Sequence, residues 1–279
     1  MEIIRLARGQ WGFNESAPLG PPGGFGEVFR GTGPDGPVAV KRLKLTAGAA
    51  AFRELRMGEV LGERKLTNVV PILDCGQDAD SDRYFLVMPI CERSLQEKIG
   101  SGVPIETQEL CEIAMNIVSG LIEVKDIVHR DLKPGNVLFL EGCWRLADFG
   151  IAKFVEDSTS LETLRECLTP RYAAPEQWRG ERPTHATDVY SLGCITYEMA
   201  TGANVFKDAP DIRDAHLHVL APAVVHKSAK LAAFVSQMLR KSPEARPNLA
   251  RCFEVFKDVA SGSSSNIHPV LARISQAAS

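Results

Sequence analysis

The chain has 279 residues, 44% of them hydrophobic and 24% charged, which is ordinary for a folded soluble protein and enough for a sizeable core. Its formal net charge of −3 gives no electrostatic case for a nucleic-acid partner or an anionic membrane surface. No apolar run reaches the roughly 20 residues needed to span a bilayer, and the start "MEIIRLARGQW" is too short and too charged for a secretory signal. Seven cysteines, far apart and without a C-x-x-C pair, fit thiols in a reducing cytoplasm better than disulfides or a zinc site.

Residues 1–10 read as an extension ahead of the first strands. "FGEVFRGT" and "GPVAVKRL" are β-branched and aromatic runs joined by the turn signal "GPDG", so they predict an antiparallel hairpin. "AGAAAFRELRMGEVLGERK" has the composition of a helix. "VVPILDCG" and "RYFLVMPI" predict two more strands around the polar loop "QDADSD". The character then changes. In "ETQELCEIAMNIVSGLIEVKDIV" the apolar residues Leu110, Ile113, Ala114, Ile117, Leu121, Val124 and Ile127 fall at steps of three and four, the period of a helix that buries one face. Two short strands, "NVLFL" and "CWRLAD", precede a polar stretch from 155 to 170. "ATDVYSLGCITYEMATG" is apolar enough for a core helix, and "LAAFVSQMLRKSPEARPNL" reads as a helix ended by its Ser-Pro. Strands first and helices later predict an α+β chain of two lobes, with the boundary near Cys91–Ser94. "ASGSSSN" reads as a flexible linker by composition, which leaves 261–279 as a tail.

The run "HRDLKPGN" packs His129, Arg130, Asp131, Lys133 and Asn136 between apolar segments. A surface turn uses similar residues, so the rest of the chain decides its meaning. Four other short stretches occur with it: "GGFGEV", "VAVK", "DFG" and "APE". Each alone is weak; in this order they resemble the protein-kinase signature set, over about residues 11–256. The resemblance implies a bilobal kinase fold: a β-rich N-lobe over about 11–90 with one regulatory helix, and a larger helical C-lobe over about 91–260. It also implies ATP and Mg²⁺ as cofactors and protein substrates with Ser/Thr acceptors.

Residue roles follow from the same resemblance. Gly20, Gly23, Gly24 and Gly26 belong to the glycine loop, where a missing Cβ lets backbone N–H groups approach phosphates. Lys41 would hold the α- and β-phosphates, paired with Glu54 on the next helix or, as the alternative, Glu59. Asp131 would orient the substrate hydroxyl and accept its proton, with Lys133 on the γ-phosphate. Asn136 and Asp148 would bind Mg²⁺, a hard cation that prefers oxygen. Met88 falls at the gatekeeper position, Pro89, Ile90 and Cys91 at the hinge, and Val28, Ala39 and Leu138 complete the nucleotide-binding set. His129 reads as a packing residue, Asp188 as an anchor for the catalytic turn, and Glu176 with Arg246 as a buried structural ion pair. Lys133 in "DLKPGN" and Thr169 in "LTPRYAAPE" resemble serine/threonine rather than tyrosine kinases.

Two departures stand out. In "LGPPGGFG" Pro21 takes the place of the first glycine, which predicts a stiffer loop with fewer donors. Gly58 stands where a bulky apolar residue normally joins the column behind the site, so a gap and a mobile helix are expected there. Arg130 is placed to receive a phosphate from the activation segment, residues 148–176, with autophosphorylation, in trans through self-association, expected on Ser160 or Thr163. The alternative function is a pseudokinase that organises partners. A small-molecule kinase of the aminoglycoside type would share the Asp and Asn logic and lack "APE".

Overall fold

The computed structural model describes residues 1–20, 26–43, 49–149, 153–154 and 169–265. The N-terminal third builds β1 (Glu2–Leu6), β2 (Gly9–Pro18), β3 (Gly26–Gly33), β4 (Gly36–Leu43), α1 (Ala49–Gly62), β5 (Asp74–Gln77) and β6 (Tyr84–Pro89). The six strands form one sheet in the order β1-β2-β3-β4-β6-β5, antiparallel throughout. Residues opposite each other in the ladders share a face. Phe29 faces Val40, which faces Val87, and these join Ile4, Trp11, Phe13, Val38 and Phe85 in an apolar core. The opposite face carries Val28 across from Lys41, and Ala39 across from Met88.

The segment expected as an extension is part of this sheet. β1 pairs with β2 along its whole length, from Glu2 opposite Phe13 to Leu6 opposite Gly9, and Ile4 is fully buried. "VVPILDCG" also differs from the expected single strand. Only its end enters the ladder as β5; Val69 instead bridges Leu146 in parallel, and Val70 N–H donates to Leu146 O at 2.8 Å. Pro71 between the two parts has no N–H for a continuous ladder.

The C-terminal part opens with β7 (Arg93–Ser94) and α2 (Leu95–Gly100), whose start is closed by a capping box between Ser94 and Glu97. Next come α3 (Thr107–Glu123), β8 (Ile127–Val128), β9 (Val137–Leu140), β10 (Cys143–Leu146) and β11 (Lys153–Phe154). The helices α4 (Pro175–Arg179), α5 (His185–Thr201), α6 (Ile212–His218), α7 (Ala229–Met238) and α8 (Leu249–Ser265) complete the described lobe. α3 buries Leu110, Ile113, Ala114, Ile117 and Leu121, at the predicted helical spacing. A Cβ on Gly120 of this helix would lie 2.7 Å from Asn68 O and 2.9 Å from Leu146 Cδ1, so glycine there lets α3 seat against the segment that leaves α1. The expected linker "ASGSSSN" is helical through Ser265. Cys252, Val255, Phe256 and Val259 give α8 a buried stripe at helical spacing, and Ser261 Oγ donates back to Lys257 O at 3.0 Å. Among the described residues no helix is long and apolar enough to cross a membrane.

Candidate active site

The turn between β8 and β9 is held by its backbone before any side chain is considered. Asp188, buried in the first turn of α5, accepts from His129 N–H at 3.0 Å and Arg130 N–H at 2.8 Å. Gln177 Nε2 donates to Arg130 O at 2.8 Å. These bonds fix Arg130 at φ 71°, a left-handed conformation that a non-glycine residue keeps only when its surroundings impose it.

In this fixed turn one carboxylate gathers three polar side chains, two from the turn and one from Thr169. Asp131 Oδ2 accepts from Lys133 Nζ at 2.7 Å and Asn136 Nδ2 at 3.2 Å, and Oδ1 accepts from Thr169 Oγ1 at 2.5 Å. Lys133 Nζ also donates to Thr169 Oγ1 at 3.1 Å, so the threonine receives from the lysine and gives to the aspartate. Asn136 Nδ2 donates a second bond to Asp131 O at 2.9 Å, which turns its amide oxygen away from Asp131. Asp131 is 5% exposed: a carboxylate out of bulk water, neutralised by Lys133.

A second charged pair stands on the sheet side. Lys41 Nζ donates to Asp148 Oδ1 at 2.9 Å. Burial works to raise the Asp148 pKa, but the Lys41 ammonium, with Lys133 and His129 further off, holds it below the ordinary carboxylate range. Asp148 sits at φ 59°, and the next residue, Phe149, packs its ring 4.6 Å from the ring of His129. His129 is fully buried with Nε2 3.1 Å from Ala147 O; a carbonyl can only accept, so this nitrogen carries the proton. Its place is structural.

Two features hold this turn that no local sequence pattern marks. Gln177 reaches back 47 residues to Arg130, and Thr187 Oγ1 donates to Glu176 Oε1 at 2.9 Å. Glu176 meets Arg246 in a two-pronged pair at 2.6 and 2.8 Å, and the guanidinium also donates to the carbonyls of Ala186, Arg240 and Lys241. That set ties α4, α5 and the segment after α7 together beneath the turn.

The remaining sequence-derived candidates fall as follows. Val28, Ala39, Lys41 and Met88 share the sheet face opposite the Phe13–Phe85 core, Pro89 ends β6, and Ile90 and Cys91 follow it. Leu138 lies on β9, opposite Ser94 and Arg145. Burial pushes the Cys91 thiol up to about 11, so it stays protonated and unreactive near neutral pH. Gly20 lies two residues beyond β2 and Gly26 opens β3; Gly23, Gly24, Ser160 and Thr163 lie outside the described residues. Glu54 is placed on α1 by its backbone alone, and its side chain also lies outside the described set. The gap expected at Gly58 is closed. A Cβ there would stand 3.1 Å from Leu86 Cδ2 and 3.3 Å from Cys75 Sγ, because α1 lies close against β5 and β6. Met57 and Leu61, on either side, are buried in the same core as Phe149.

Comparison with known proteins agrees with this geometry. The family described as "Protein kinase domain" matches residues 13–256. The chain is similar to the probable serine/threonine-protein kinase PknB of Corynebacterium glutamicum, 32% identical over 71% of this chain and 32% of that protein. It is also similar to the serine/threonine-protein kinase PrkC of Bacillus subtilis, 32% identical over 64% of this chain and 28% of that protein. A third relative, serine/threonine-protein kinase A of Synechocystis, is 32% identical over 70% of this chain and 41% of its own length. The match thus spans about a third of the length of these relatives.

Proposed function

The chain belongs to the protein kinase family, and we propose that it is a serine/threonine protein kinase, transferring the γ-phosphoryl group of ATP to hydroxyls of protein substrates. The observation that carries this reading is Asp131, fixed by Lys133, Asn136 and Thr169 in a turn whose backbone is itself pinned to Asp188. Such a group is oriented before substrate arrives, which is what phosphoryl transfer asks of a protein.

The residues present fit a nucleotide with Mg²⁺. Asp148 offers carboxylate oxygen and Asn136 an amide oxygen, hard donors of the kind Mg²⁺ takes one or two at a time beside phosphate oxygens. Among the described residues no cluster of three His, Cys, Asp or Glu side chains forms a cage, and a Mg²⁺ shared with phosphates needs none. When bound, the metal–nucleotide pair supplies an electrophilic phosphorus and neutralises the charge that builds on its oxygens. The chain's own groups do the rest. Asp131 takes the acceptor hydroxyl's proton onto a carboxylate oxygen; Lys133 offsets the negative charge beside it; Lys41 brings a buried cation to the phosphates. Thr169 keeps Asp131 and Lys133 in register and forms one wall for the acceptor. The Ala39–Met88 face takes the base, with Pro89, Ile90 and Cys91 along its edge.

In this reading the catalytic domain runs from about residue 11 to 260, with β1 as its added strand. Arg130 is the docking group for a phosphate on Ser160 or Thr163. ATP use and six unpaired cysteines among the described residues support a cytoplasmic location.

Labelled ATP with Mg²⁺ and a basic protein acceptor tests the proposal. Asp131→Asn should lose about 10²–10⁴-fold in phosphate transfer with nucleotide binding retained, and phosphate on residues 155–168 should appear only in the wild type. Equal transfer by both proteins would overturn it.

A further inference from the structure

α1 has no basic side chain in its last turn, so its own sequence brings no cation to its negative, C-terminal end. One comes from the β1–β2 turn. The Arg8 guanidinium donates to Gly62 O at 3.4 Å, to Leu73 O at 3.1 Å and to Ile72 O at 3.4 Å. A single planar fork therefore joins the last residue of α1 to the segment entering β5.

Arg8 is itself seated. Its N–H donates to Asp74 Oδ2 at 3.0 Å, and Trp11 Nε1 donates to the same oxygen at 2.8 Å. Asp74 Oδ1 accepts from Cys75 N–H at 3.0 Å, and the carboxylate is 1% exposed. Further along, Arg5 N–H donates to Asp78 Oδ1 at 2.9 Å and Arg5 O accepts from Ala79 N–H at 3.0 Å, so the outer edge of β1 is fastened beside β5 as well. The β1–β2 turn is thus built onto the base of α1.

We propose that Arg8, seated by Asp74 and Trp11, is a positioning residue for α1, setting where the helix stands relative to Phe149 and Asp148. The route is physical: Met57 and Leu61 of α1 share one core with Phe149, and Asp148, next to Phe149, holds Lys41. This deepens the kinase reading and rests on it for its consequence in catalysis. α1 also carries Glu54, the residue expected to meet Lys41.

The test is hydrogen exchange on the whole chain with parallel peptide-phosphorylation kinetics. In Arg8→Ala, amides in the second half of α1 should exchange about 3- to 10-fold faster, while those of α3 keep wild-type rates. Turnover should fall by a similar factor with peptide KM unchanged, and Arg8→Lys, which keeps the charge without the fork, should recover part of both. Trp11→Phe, which keeps an aromatic ring in the core and removes the N–H to Asp74, should move α1 in the same direction if Arg8→Ala does not fold. Wild-type exchange in α1, or an equal rise in α1 and α3, would overturn the proposal. Faster α1 exchange in a chain that transfers no phosphate would leave the positioning role standing and remove the kinase reading alone.

Discussion

Gly58 separates what a sequence says about a residue from what its neighbours do. Against the family pattern it looks like a missing side chain, and a missing side chain implies space. Leu86 and Cys75 stand in that space instead, and protein interiors of ordinary density leave little more to fill. The two views predict opposite outcomes for a larger residue. If a gap existed, Gly58→Leu would gain burial and helix propensity; with the space filled, it should destabilise the protein by about 1–3 kcal/mol through overpacking. Urea unfolding of the two proteins decides between them. The charged residues were far more legible, for a physical reason. Asp131, Lys133 and Asn136 lie within one short run, and their chemistry needs them on one rigid turn. Gln177, which holds that turn from 47 residues away, has an ordinary amide side chain, and only the folded chain reveals its partner.

Among elements, the β3–β4 hairpin and β1 make a useful contrast. "GPDG" announces the first through residues that favour a tight reversal. β1 reverses into β2 through Ala7 and Arg8, with Leu6 opposite Gly9, and neither residue carries the Asn-Gly or Asp-Gly signature of a two-residue turn. A five-residue strand with such a turn gives little local signal, and its support is tertiary. Ile4 closes one end of the core formed with Trp11, Phe13, Phe29 and Phe85. Ile4→Ala should therefore cost about 2–4 kcal/mol in equilibrium unfolding, where a loose extension would register nothing. The end of α8 misled for the converse reason. Serine and glycine favour a linker by composition, yet the helix already anchored by Phe256 and Val259 needs only to propagate, which is easier than to nucleate.

The two halves of the molecule are joined by backbone, through Val70 N–H to Leu146 O and Leu146 N–H to Asn68 O, each at 2.8 Å; stability is therefore best treated as one property with one pH profile. On the acid side one buried group with a large shift is His216. It is fully buried, with Nδ1 2.9 Å from the Tyr190 hydroxyl and its ring against Phe206. Burial, helped by the nearby Lys241 ammonium, lowers its pKa from 6.5 to about 4. Between those values the unfolded chain binds a proton that the folded chain refuses, so stability falls as pH falls, by about 3 kcal/mol over the whole interval. His226, lowered mainly by burial, acts in the same direction. The depressed carboxyls of Asp126 and Asp148 lose their contribution only below the unfolded carboxyl pKa of 3.8. Burial raises those of Asp188 and Glu198, which keep protons the unfolded chain releases and so oppose the histidines in the window above that value. On the alkaline side, burial pushes the thiols of Cys75 and Cys91 up to about 11, those of Cys111 and Cys252 to about 12, and that of Cys194 higher still. Above the unfolded thiol pKa of 9.0 the unfolded chain releases protons that the folded one keeps, and stability falls as pH rises. Lys241, lowered by burial from 10.5 to about 8, opposes this with a single proton against five thiols and loses. Denaturant midpoints measured from about pH 5 to 10 should trace a dome with its top between roughly pH 7 and 9. In His216→Gln the acid limb should flatten; an acid limb as steep as in the wild type would mean that His216 takes up its proton without leaving the folded state.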